Sequence, residues 1–578
     1  MLFRRQLNSE TVFRVVCSSF CVALGALFLA LPLSRVQAQT ILSCNPDFEP
    51  ASGAFDFVHA EQAEVQVSDG ARIDRIVYTR LPVFDEQDPD EDNWLFRWAN
   101  DFHLLTRRET ISQQLLIAED DEYRQRAVAE SARILRAQNF FSDAGIRPIS
   151  QCGDNITVEV ITRDNWSLTP NLSYDRFGGE NTYSVGLRDS NLLGRGKLLS
   201  VGYGKDIDQQ TSELQYKDPN VFGTRIRNSL TFVDGDEGDR AEFAVDLPFF
   251  SLNSRRSWAL RLSDEENQDE QFLRGEEVSA VRHDEKDYSV ELGFSSGLLE
   301  SIARRWRYGI RYQSRDFSPA PGFAPPAPFP GDRELLYPYV SYDYIEDGYT
   351  TIFNLNQIYR TEDLQTGLEW SVGVGYADAA VGSDRSSWIL RSRFRDTLGY
   401  DADSLWQHSA ELEAFFNVDD NEPEDVLLRY ETQYLRRLSE NRSFVARFQA
   451  EYSYNLSSHR QVVLGGFTGA RAFDNNFQVG DRKVLLTLEN RLYTDIHLLN
   501  LLRLGGVVFL DTGRAWEPGI DDGLEDDWLS NIGIGLRFAS SKASSRRVAH
   551  LDFAFPLTNR DDPAVNQVMI AFTVKSSF

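Results

Sequence analysis

Phe444-Val445-Ala446-Arg447-Phe448-Gln449-Ala450-Glu451-Tyr452-Ser453-Tyr454 is the stretch on which the fold turns. Phe444, Ala446, Phe448, Ala450, Tyr452 and Tyr454 recur every second residue. Successive side chains of a strand point to opposite faces, so this run is a strand with one apolar, aromatic-rich face. About 9 to 11 residues are enough for a tilted strand to cross a bilayer.

The same alternation recurs on both sides of this stretch. Trp166, Leu168, Leu172 and Tyr174 share a face, as do Ile226, Leu230 and Phe232. Phe243, Val245, Leu247 and Phe249 follow, then Leu368, Trp370, Val372, Val374 and Tyr376. Facing positions are polar or glycine, and no amphipathic helix interrupts. In lipid only a closed sheet satisfies every backbone group. The expected fold is therefore a transmembrane antiparallel β-barrel over 164–578. The chain ends in the same pattern: Ile570, Phe572, Val574 and the final Phe578 share a face, which suits a closing strand whose outer side meets lipid. Ser318–Pro330, with six prolines, cannot be a membrane strand and reads as an external loop.

Composition agrees. Aromatic residues make up 12% of the chain, against two methionines and seven histidines. Past residue 40 there is no apolar run of the roughly 20 residues a membrane helix needs. The net charge of -28 excludes nucleic acid as a partner. Gly-x-Ser-x-Gly, His-Glu-x-x-His and other nucleophile or metal spacings are absent. No catalysis and no cofactor is expected. His103, His283, His408, His459, His497 and His550 lie singly and read as surface or girdle residues.

The N-terminal 163 residues are different. Arg4, Arg5 and Arg14 precede an apolar run from Val15 to Leu33, and Val36-Gln37-Ala38 offers a small-residue cleavage site. Residues 1–38 read as a signal peptide, with an uncleaved anchor as the alternative. A polar lead-in spans 39–70. Residues 71–163 read strand, helix, helix, strand, strand: a strand from Ile73, helices over Glu109–Ile117 and Glu122–Gln138, and strands over Ile146–Ile149 and Ile156–Ile161. That is a small α+β domain. Outside the signal only Cys44 and Cys152 remain. They are candidates for one disulfide, while Cys44 as a lipid acceptor is the weaker alternative.

Several motifs resemble the BamA/TamA family of outer-membrane assembly proteins, in which periplasmic POTRA domains precede a surface-antigen-type barrel. Residues 71–163 have the POTRA element order, once. Asp189-Ser190-Asn191-Leu192-Leu193-Gly194-Arg195-Gly196 resembles the turn after the second strand, and Tyr216–Asn220 with Phe222-Gly223 the next such turn. Gly465-Gly466-Phe467-Thr468-Gly469-Ala470-Arg471-Ala472-Phe473 resembles the loop that folds back into the lumen, with Ala472 where the family has glycine. Leu488–Arg491 and Phe509–Gly513 resemble the two strand motifs that follow.

The resemblance implies that Arg471 anchors the lumen loop, with Phe473 beside it and Glu489 and Asp511 as carboxylate partners. Such a lock is architectural. The family core implies 16 strands. About 17 alternating segments before Arg471, with five after it, allow up to 22 or hairpins projecting from the wall. Pro170 in the first barrel strand and the short last strand ending Lys575-Ser576-Ser577 predict a weak seam.

The function implied is insertion or translocation of other proteins at a bacterial outer membrane. The implied partners are lipids, client outer-membrane or secreted proteins and a periplasmic or inner-membrane accessory protein. A dedicated protein-secretion pore and a passive solute channel are the alternatives.

Overall fold

The computed structural model describes residues 67 and 69–575, except 178–179, 206–209, 402, 520–522, 525–526 and 544–546. The expected signal peptide, nearly all of the lead-in, Cys44 and Phe578 lie outside the described residues.

The N-terminal domain is a three-stranded sheet with helices. β1 (Arg72–Leu81) pairs in parallel with β3 (Asn155–Asp164), and β3 pairs antiparallel with β2 (Phe141–Cys152), giving the order β1-β3-β2. β3 is the central strand, and its Ile156, Val158 and Val160 are buried against Ile73, Ile76 and Phe141. α3 (Gln125–Ala137) covers this core through Val128 and Leu135. Cys152, at the end of β2, is disulfide-bonded.

The sequence reading needs two corrections here. The helix expected over Glu109–Ile117 is only Arg108–Ser112 (α2). A helix it did not foresee, α1 (Trp94–Phe102), precedes it. The Asn93 side chain caps α1 by accepting from Phe96 N. Neither Trp94 nor Trp98 shows the periodicity of a helix packed on one side only, because the apolar residues of α1 span two faces.

From Leu168 to Lys575 the chain forms a closed barrel of 20 antiparallel strands. This falls within the range expected from sequence but is not the family's 16. Fifteen wall strands precede Arg471 and five follow it. The two remaining early segments, Tyr349–Phe353 and Thr361–Gln365, form a separate hairpin outside the wall. Alternation alone does not distinguish a wall strand from such an insert. Trp166 likewise lies outside the first wall strand, in an isolated bridge to Ala543.

The wall's outer face is apolar: Val290, Leu292 and Phe294 on one strand and Trp306, Tyr308 and Ile310 on the next are exposed. Inward positions carry ion pairs such as Arg307–Asp343 (2.7 Å) and Arg391–Glu413 (3.0 Å), around a lumen cavity of about 790 Å³. The strand Glu276–Leu299 has 24 residues, more than twice a bilayer crossing, and beyond Tyr288 its outer face turns charged at Lys286 and Asp284. It therefore projects past the membrane at the rim away from the N-terminal domain.

The N-terminal domain sits on the other rim. Thr110 Oγ1 donates to Gly194 O (3.0 Å), and Arg225 donates to Leu115 O (2.5 Å). Both family-like turns named above lie at this contact. Gly194 has φ +71° and faces Leu105 O at a distance no Cβ could tolerate, so the turn needs glycine there. Lys542, in a rim turn, pairs with Glu91 of the domain, and burial pushes its ammonium down to about 8.

Candidate functional site

The chain between the wall strands Arg442–Tyr454 and Arg482–Leu498 is a long loop folded into the lumen. Val462–Leu464 and Gln478–Gly480 pair as its stem. Its tip presents Arg471, and Ala470 takes up the positive φ of 58°. Ala472, at the family's glycine position, is fully buried and needs no left-handed backbone. Phe473 is buried with Phe477, ring centroids 5.5 Å apart, so it pins the loop by packing.

Arg471 meets the carboxylates expected of it. Nε and Nη2 each donate to Asp511 at 2.9 Å, and Nη2 donates to Glu489 at 3.2 Å. Its guanidinium lies over the Phe509 ring, 3.5 Å from the centroid. Gly533 makes room for that ring, since a Cβ there would stand 2.3 Å from it. Sequence reasoning missed the rest of the network. Asp552 lies 3.5 Å from Arg471 and accepts from Arg537 at 2.6 Å. Asn531 donates to Asp511 at 3.0 Å. Arg491 donates to Glu489 at 2.9 Å.

Three arginines thus face three carboxylates, all nearly sealed from solvent: Arg491 is 2% exposed, Arg537 1% and Asp511 1%. Burying such charges is tolerable only because each has a partner. Their inward parity was the one available signal. Arg491 is two residues from Glu489, whereas Arg537 and Asp552 arrive from other strands through register alone.

The network continues to the opposite rim. Arg491 also donates to Leu355 O (3.2 Å), and Tyr493 Oη donates to Asn354 O (3.0 Å), both at the tip of the inserted hairpin. One Glu362 oxygen organises that tip by accepting from the backbone N–H of Leu355, Asn356 and Gln357 at 2.8–3.0 Å. Arg136 of α3 grips the hairpin through both oxygens of Asp363, at 2.8 and 2.5 Å. A run of contacts therefore links the N-terminal domain, the hairpin, the wall and the lumen loop.

The seam is the reverse case. Among the described residues the last strand, Met569–Lys575, pairs with the first, Leu168–Phe177, only at Phe572–Arg176. The last strand makes seven residue pairs with its other neighbour, and the first strand makes ten. Ile570, Phe572 and Val574 share the outer face of the closing strand.

The histidine reading is corrected in part. His283, His459 and His550 are buried rather than at the surface, and His103 bonds Asp164 at 2.9 Å inside the domain. Among the described residues no group of three or more His, Cys, Asp or Glu is placed to hold a metal.

The Omp85 superfamily domain matches residues 191–578. Among solved structures the chain is similar to BamA from Haemophilus ducreyi lacking POTRA domains 1-3, with 12% identity, 87% of this chain and 84% of that one covered, and a TM-score of 0.37. It is also similar to CdiB from Escherichia coli (13%, 87% and 76%, 0.44) and CdiB from Acinetobacter baumannii (11%, 99% and 99%, 0.40). No curated protein matches it. Because the family match spans well over half of its length, the chain belongs to the Omp85 superfamily of outer-membrane β-barrels.

Proposed function

We propose that this protein inserts or translocates client proteins at the outer membrane, by the route its sequence shares with BamA/TamA-type assembly factors. The observation that carries this reading is the seam, where among the described residues one ladder pair joins two strands that are each fully paired on their other side. Strand edges with free N–H and C=O groups recruit another strand through backbone bonds, whatever its sequence. A client strand entering at Phe572–Arg176 would be templated by the edge it meets and released sideways into lipid.

In this reading residues 71–163 are a single POTRA domain in the periplasm. β2, an edge of its sheet, offers a second place for β-augmentation, although Pro148 removes one donor from it. The Arg471 cluster holds the lumen loop so that the wall behind the seam stays fixed. The loop and the hairpin enter the lumen from its two ends and narrow it, which argues against a passive solute channel. A dedicated secretion pore is the second reading, favoured by the charged lumen cavity.

Depleting the protein and quantifying the outer-membrane proteome tests the proposal. Loss of many barrels supports a general insertase. Loss of one or two exported proteins supports a dedicated translocator. An unchanged proteome with altered solute uptake would reject both.

A further inference from the structure

α1 is apolar around more than half of its circumference, but the protein covers only part of that surface. Taking 100° per residue, Ala99 and Phe96 point into the domain, where Phe96 stacks on Phe84 at 4.1 Å. Trp94, Trp98, Phe102 and Leu95 occupy the adjoining arc of about 100°. None of the four is covered: Trp94 is 74% exposed, Phe102 67%, Trp98 51% and Leu95 46%. Leu104, just past the helix, continues the stripe at 57%. Arg97 and Asp101 close the circle as a polar arc. Trp98 and Phe102 already touch, with centroids 4.7 Å apart, so the stripe is an ordered surface. A soluble domain gains nothing from exposing two tryptophans and a phenylalanine side by side.

Where α1 is attached identifies what covers it. The buried side of the helix shares a cluster with Leu501, and Asn500 donates to Asp90 O (2.6 Å) just before the helix. Both residues belong to the turn joining two wall strands at the domain-side rim. The lipid-facing residues of those strands run down to this same turn: Ile496, Leu498 and Leu502 are exposed on the wall, and Leu499 is 84% exposed at the turn itself. The apolar belt of the barrel is thus continuous with the segment that carries α1. Tryptophan, phenylalanine and leucine on one side of a short helix, with charges on the other, is the pattern of a helix lying in a membrane interface.

We infer that α1 is an interfacial anchor: Trp94, Leu95, Trp98, Phe102 and Leu104 insert into the lipid leaflet beside the domain-side rim. The occupant of this face is phospholipid. The anchor would fix the N-terminal domain against the bilayer, next to the wall that carries the Arg471 cluster, independently of what the protein does to its clients.

The test uses the full chain in vesicles of phosphatidylethanolamine and phosphatidylglycerol. Trp98→Cys is labelled with an environment-sensitive dye, with Arg97→Cys on the polar arc and the unsubstituted protein as controls. Phe102→Cys serves as a second reporter on the apolar arc if Trp98→Cys fails to insert as a heat-modifiable barrel. The expected result is blue-shifted emission at position 98, quenched several-fold more by nitroxide lipids than by aqueous iodide, with the reverse order at 97. Equal quenching by iodide at 97 and 98 overturns the inference. So does protection at 98 that nitroxide lipids do not reach, since that means a second copy or another protein covers the face.

Discussion

The two sides of the seam are built differently. The four strands from Leu502 to Lys575 are buried at nearly every inward position, and the strand Arg482–Leu498 at Leu485, Glu489, Arg491 and Tyr493, backed by the lumen loop and the hairpin tip. The strands from Leu168 to Leu247 are only 8 to 10 residues long, and the inner positions among their described side chains are mostly half-exposed. Among the described residues, no hydrophobic cluster of the barrel takes its buried members from these early strands. One side is a braced wall and the other a thin flap, and they meet at Phe572–Arg176. If the seam opens as proposed, the early strands are the side that would bend, because the late wall could not shift without breaking buried charge pairs.

The strongest way to break that contrast is Arg471→Ala. It leaves Asp511, Glu489 and Asp552 short of a partner, and removing one member of a buried ion pair costs about 3–5 kcal/mol. The unfolding transition in urea should move accordingly, while Arg471→Lys, which keeps the charge but loses the two-pronged contact, should recover part of the loss. Phe473→Ala empties a fully buried site in the same loop, and about 3–4 kcal/mol is expected from the same measurement.

Arg491→Met probes whether the hairpin is held by the wall. It should free the hairpin tip at Leu355, cost roughly 2–3 kcal/mol and make residues 354–360 accessible to protease. The same cleavage in the unsubstituted protein would show that the link to the hairpin is not a brace.

His459, in the lumen loop, sharpens the contrast through pH. Burial and, after it, Arg315 hold its imidazole down at about 4, while Asp269 and Asp425 act in the opposite direction. The folded protein therefore takes up this proton less readily than the unfolded chain. Its contribution is complete above pH 6.5 and is lost as pH falls through about 4. Loop stability measured by proteolysis should drop by on the order of 1–2 kcal/mol across that window, and His459→Gln should flatten the profile. The smallest effect belongs to Arg393→Ala. Its pair with Glu411 is half-exposed, and less than about 1 kcal/mol is expected.

Much of this was legible in sequence, for identifiable reasons. Strict alternation across Phe444–Tyr454 fixes a two-faced strand, and the family-like spacing from Arg471 to Asp511 fixes which loop meets which wall. Strand number was harder to read. The hairpin at Tyr349–Gln365 alternates like its neighbours, and only its pairing removes it from the wall. Arg537 and Asp552 belong to no motif. They join the cluster because Gly535 sits opposite Asp552 in the register, and register is a property of the whole sheet. α1 was missed because its apolar residues serve two surfaces, which blurs the single stripe that marks an amphipathic helix.

The proposed function requires the seam to open. Arg176→Cys with Phe572→Cys places a disulfide across the ladder pair that joins the two edges among the described residues, at a spacing antiparallel partners can bridge. Oxidation should stop accumulation of client proteins and reductant should restore it, with the barrel folded throughout. Full activity with the seam locked would contradict seam opening.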